Sequence, residues 1–145
     1  MKFGDLVSDP NQADIAIIRL HAPYYPHEGV LNTFSHSGDL DFKGEEKAPI
    51  LKLLKTLPTI VGIYLDRAAV IPEIANNSAA LAANFGATDE VLLEMIWGSF
   101  SPTGKLPFEL PSSMMAVQAQ KEDVPYHSVA PLYAFDFGLN DEIGN

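Results

Sequence analysis

Cysteine is missing from the chain altogether, and that removes disulfides, thiolate metal sites and a cysteine nucleophile. Basic residues are scarce, nine Lys and Arg against nineteen Asp and Glu, for a formal charge of -10. Such a surface repels phosphate backbones and anionic bilayers, so nucleic acid and membrane are not expected partners. No apolar run approaches the roughly 20 residues that a membrane span needs. The opening segment MKFGDLVSDP has no apolar centre of the secretory type, so a cytoplasmic location is the default expectation. Several catalytic signatures are missing too. His27-Glu28 is followed by Gly29-Val30-Leu31, so the second histidine of a zinc-protease helix is not there. Gly98 and Gly104 enclose five residues and Leu106 follows Lys105, which breaks the spacing of a phosphate loop. There is neither a Gly-x-Ser-x-Gly elbow nor a dinucleotide fingerprint.

What remains is a chain of 145 residues, 47% hydrophobic, enough for one domain with a real core. The run ADIAIIRL (13 to 20) predicts a strand buried on both faces. GEEKAPILKLLKT (44 to 56) predicts an amphipathic helix with acids at its start and Pro49 near its first turn. LPTIVGIYLD (57 to 66) predicts a second buried strand, VIPEIANN a short helix, and SAALAANF (78 to 85) a strand of small residues whose alanines would also suit a helix. TDEVLLEMIWG predicts a helix capped by Thr88 or Asp89 and ended by Gly98. KLPFEL predicts a short edge strand, and after one further brief helix a proline- and aromatic-rich tail drapes over the body. Strands alternating with helices imply an α/β layered fold with a mainly parallel sheet between helices. Ligands of such sheets gather where strand C-termini meet the following loops.

Two loops sit at such ends. One is HAPYYPHEGVLNTFSHSGDLDF (21 to 42), with three of the chain's four histidines; the other is LDRAA (65 to 69). His21, His27 and His36 could converge on a metal, but nothing in their spacing presets a geometry, and surface or hydrogen-bonded histidines explain them more simply.

The C-terminal half carries an ordered set of motifs. Ile96-Trp97-Gly98 is followed by Pro102-Thr103-Gly104-Lys105-Leu106-Pro107, then by Pro131-Leu132-Tyr133-Ala134-Phe135-Asp136-Phe137-Gly138-Leu139. Their order and spacing resemble the C-terminal α/β sandwich domain of glycoside hydrolase family 3, the β-glucosidase and exo-glucanase family. ADIAIIRLHAPYY and TIVGIYLDRAAVIPEI are similar to that domain's middle strands, so the resemblance covers nearly the whole chain as a single partial domain, 1 to 145. It departs at Asp136, where the family usually has glycine, and at Phe85 to Thr88. By its own chemistry the Pro102-to-Pro107 motif reads as structural. Pro102 and Gly104 set a turn, Lys105 can reach the carbonyl end of the preceding helix, and Leu106 and Phe108 fill core positions. Tyr126, Tyr133, Phe135 and Phe137 read mainly as aromatic packing, with a sugar platform as the alternative for one of them.

The resemblance implies a three-layer sandwich, truncated at its N-terminal side because the family's first βα units are not matched. It implies the hydrolysis of a β-linked glucoside or oligosaccharide without cofactor or metal. The family's nucleophile is an aspartate on an N-terminal barrel, which would have to come from another part of the polypeptide or another chain, so this chain alone is expected to be inactive. In some members the acid/base glutamate follows a Pro-Tyr segment of this domain. That makes Glu28, after Pro23-Tyr24, the acid/base candidate, with an exposed loop acid as the alternative and Asp39 and Asp41 as runners-up. Tyr24, Tyr25 and His27 are its expected substrate-binding neighbours, able to raise its pKa by desolvation. Asp66 and Arg67 could bind sugar hydroxyls or simply pair with each other. An orphaned strand 13 to 20 would favour a homo-oligomer. The reading from a different class is a non-catalytic α/β module that oligomerises or binds carbohydrate.

Overall fold

The computed structural model describes residues 3–26 and 36–139. Its centre is a parallel sheet of three strands in the order β1 (Ala16–His21), β2 (Thr59–Tyr64), β3 (Ala80–Asn84). Between them run the crossover helices α1 (Gly44–Thr56) and α2 (Pro72–Asn77); α3 (Asp89–Ile96) and α4 (Met114–Ala119) follow. The small-residue segment 78 to 85 holds a strand, β3, which among the described residues is an edge of the sheet beside the buried β2 and needs no bulk.

β2 is central and carries the core. Val61 and Ile63 are fully buried and share one cluster with Leu54 of α1, Ile74 of α2, Leu106 and Leu110. In a parallel register Ile18, Val61 and Leu81 lie abreast, so this face is covered by α1, α2 and the C-terminal segment. Gly62 points to the opposite face, where a Cβ would lie 2.7 Å from Leu92 Cδ2. Glycine here lets α3 approach the sheet, and helices thus cover both faces in an α/β sandwich.

α3 begins with Thr88, whose Oγ1 accepts from Val91 N, and ends in a Schellman motif. Ser99 N donates to Glu94 O and Gly98 N to Met95 O, with Gly98 at φ +76. Arg19 of β1 ties this helix down through an ion pair with Asp89 and a 2.9 Å bond to Ala87 O.

Three local expectations are corrected. The strand 13 to 20 is only partly buried, because among the described residues β2 alone pairs with it and its other edge is open. KLPFEL is not a strand of the sheet; Pro107 cannot donate to a ladder, and the segment clasps the tail instead. Leu106 N donates to Phe137 O and Asp136 N to Leu106 O, each at 2.9 Å, and Leu110 and Tyr133 form an isolated antiparallel bridge. Lys105 belongs to the same clasp, its Nζ 2.7 Å from Gly138 O rather than at the end of α3. The tail aromatics pack on one another, Tyr133 stacked with Phe137 and Tyr126 tilted against Phe135.

Candidate functional site

His21 and Tyr64, the last residues of β1 and β2, are register partners, so both strands end at one level. The pairing continues one step, Ala22 N donating to Tyr64 O and Leu65 N to Asn84 O. Beyond this level stands Asp66. Its side chain is 14% exposed and one carboxylate oxygen meets His36 Nδ1, while His21 Nε2 lies 3.7 Å from the other oxygen. Tyr24 stacks on the His36 ring at 4.2 Å, and His21 packs edge-on against Tyr24 and tilted against Tyr64. The return of the first loop is thereby docked on the end of β2.

The neck of that loop is fixed by backbone bonds. Tyr25 N donates to Ser37 O at 2.9 Å, and Arg67 donates from Nη1 to Ser37 O and from Nη2 to Gly38 O. Gly38 adopts φ +93, and a Cβ there would run into the Tyr25 ring. Arg67 and Asp66 therefore do not pair with each other. The guanidinium holds two carbonyls and the carboxylate holds an imidazole.

Asp39 and Asp41 are drawn into a lysine network at the start of α1. Lys43 Nζ is 2.9 Å from Asp39, and Lys47 Nζ bridges Asp41 at 3.0 Å and Glu73 at 2.8 Å. The Lys43 bond, then the Asp41 backbone N–H, hold the Asp39 carboxyl below its ordinary range. A general acid needs the opposite shift, which argues against Asp39 in that role. At Lys47 burial pulls the ammonium down, but its bonds to Glu73 and Asp41 outweigh this and leave it raised.

Of the residues singled out from sequence, Tyr24, Tyr25, Asp66 and Arg67 thus meet at one end of the sheet. Glu28 and His27 lie outside the described residues. His21 and His36, dismissed from sequence as ordinary surface or hydrogen-bonded groups, are central. The signal that could have found them is position, since His21 closes β1 and Asp66 stands two residues beyond β2. Among the described residues no group of three or more His, Asp or Glu side chains is placed to hold a metal ion. Beside the cluster an open hollow of about 390 Å³ is lined by Arg19, Leu20, His21, Tyr64, Gly86 and Ala87. A second one, about 490 Å³, is formed within residues 117 to 125, around the end of α4.

The family model of the glycosyl hydrolase family 3 C-terminal domain matches residues 2–140. The chain belongs to that family. Similar curated proteins include a probable beta-glucosidase C from Aspergillus flavus, 45% identical over 93% of this chain, and beta-glucosidase C from Emericella nidulans, 43% identical over 94%. A periplasmic beta-glucosidase/beta-xylosidase from Dickeya chrysanthemi is 41% identical over 92% of this chain. The chain spans 21–22% of the length of these relatives. Among solved structures, a beta-glucosidase from Listeria innocua in complex with isofagomine aligns over 90% of this chain and 21% of its own, with TM-score 0.62 and 17% identity, which speaks for the fold alone. In this family 3 C-terminal domain, Tyr24 and Asp66 lie just beyond the C-terminal ends of β1 and β2. No helix among the described residues is long and apolar enough to cross a membrane.

Proposed function

We propose that this domain forms one wall of the substrate cleft of a β-glucosidase-like hydrolase acting on β-linked glucosides or oligosaccharides. The observation that carries the reading is the family match across residues 2–140, with Tyr24, Asp66 and their histidine partners gathered at the strand ends. A barrel, on the same polypeptide or another, would supply the aspartate that attacks the anomeric carbon. Glu28 would give its proton to the departing glycosidic oxygen and then take one from the water that releases the glycosyl-enzyme. Tyr24, Tyr25 and His27 border the sugar; Asp66 acts through His36, and Arg67 holds the loop neck. The proposal also includes a cytoplasmic location and self-association through the outer edge of β1.

The test uses leaving groups. The 145-residue chain alone should not hydrolyse an aryl β-glucoside, for want of a nucleophile. In the barrel-containing enzyme, Glu28→Ala should slow substrates with poor leaving groups far more than activated ones, because only the former need protonation. Equal losses on both would exclude Glu28 as the acid and argue for a structural role.

A further inference from the structure

The return of the first loop, residues 36 to 41, is stitched to the segment that leaves β2. His36 meets Asp66, and Leu40 O accepts from Val70 N at 2.8 Å. Arg67 holds two consecutive carbonyls, Ser37 O from Nη1 at 2.9 Å and Gly38 O from Nη2 at 3.1 Å. One planar guanidinium can face both because the backbone turns at Gly38, at φ +93. Ser37 O is also the acceptor for Tyr25 N, and Tyr25 and Ser37 form an isolated bridge outside any ladder. A lone pair of this kind has little hold of its own. Arg67 grips it at the same carbonyl that Tyr25 uses. The outgoing limb of the loop and its return are thus set against each other by a side chain that belongs to neither.

We propose that Arg67 is a positioning residue for the proton transfer assigned to Glu28. It acts through the backbone: the shared Ser37 carbonyl fixes Tyr25, and Glu28 follows Tyr25 by three residues in the chain. Three residues reach no further than about 11 Å, so the hold on Tyr25 bounds where the glutamate can act. A guanidinium presents parallel N–H donors in a fixed plane and takes both carbonyls at once, whereas an ammonium has no such fork. Lysine at this position would hold one carbonyl and leave the neck looser. This inference rests on the reading of Glu28 as the acid.

Arg67→Ala and Arg67→Lys separate positioning from structure. In the 145-residue chain, hydrogen exchange at the Tyr25 amide should quicken about tenfold or more in Arg67→Ala and less in Arg67→Lys. The amides of Val61 and Ile63 in β2 should keep their wild-type rates, which shows the fold intact. In the barrel-containing enzyme, Arg67→Ala should lower kcat/KM about tenfold or more for a glucoside with a poor leaving group and much less for an activated aryl glucoside. Added guanidinium ion should recover part of the loss. Equal losses on both substrates, with Glu28→Ala still selective, would reduce Arg67 to a structural residue and leave Glu28 the acid. A Glu28→Ala enzyme without that selectivity would overturn the acid reading and this inference together. Wild-type exchange at Tyr25 in Arg67→Ala would refute the account of the neck.

Discussion

Alanine at Gly138 should pry open the clasp that holds the tail to the body. The new Cβ would lie 2.5 Å from the Gly104 carbonyl oxygen and 2.9 Å from Lys105 Cδ, where ordinary contact begins at 3.4 Å. The lysine stem can swing aside. The carbonyl cannot, because the next residues are held in place: Leu106 is bonded in both directions to Asp136 and Phe137, and its side chain is in the core. The segments must therefore part by several tenths of an ångström, and the 2.7 Å bond from Lys105 to Gly138 O goes with them. Overpacking of this kind costs about 1–3 kcal/mol. At about 2 kcal/mol a domain of this size should melt about 4–8 °C lower. Gly104→Ala is the internal control, since a Cβ there meets nothing within 4 Å, and it should stay within about 0.5 kcal/mol of the wild type. Thermal and urea melts followed by circular dichroism measure both. Wild-type melting of Gly138→Ala, or a larger loss in Gly104→Ala, would refute the account of the clasp.

Asp136 holds φ +64, so Asp136→Gly should raise stability by about 0.5–1 kcal/mol, net of glycine's greater freedom when unfolded, as urea midpoints will show. The Lys47 hydrogen bond holds the Glu73 carboxyl below its usual range, so its contribution is present near neutrality and lost as the pH falls below about 4; Lys47→Met should flatten that acid limb of the stability curve. Sedimentation at micromolar concentration should find the 145-residue chain self-associated through the open edge of β1, and a stable monomer with a cooperative melt would rule that out.

The alternation of strands and helices was legible because burial imposes it. Ile60, Val61 and Ile63 can sit only in a central strand, and the spacing of acids, apolar stripe and Gly98 permits only a helix that stops where α3 stops. The burial of β1 was misjudged for a physical reason. An isoleucine-rich run records a strand's preference but not which neighbours it has, and the neighbours set its exposure. KLPFEL failed similarly, since an apolar run beside a proline pairs with whatever backbone is at hand, here residues 132 to 137. At the candidate site, Asp66 is singled out by its strand-end position and Tyr24 by the resemblance that sets it beside Glu28. That Asp66 faces His36 rather than Arg67 depends on how the chain returns through 36 to 38, and nothing local in the sequence encodes that return.

The clasp also bears on how the protein is made. Leu106 and Leu110 belong to the core, yet their backbone partners at 132 to 137 come only after α4 and the loop beyond it. As the chain leaves the ribosome, the sheet and its crossover helices can assemble first, while the apolar side chains of the 106-to-110 segment wait for that later stretch. Loop closure must then be met by contacts that form last. A message broken off before residue 132, or a nick in the 120s, would yield an unsealed and adhesive species. Such a product suits degradation or aggregation and would not persist as a shorter working domain.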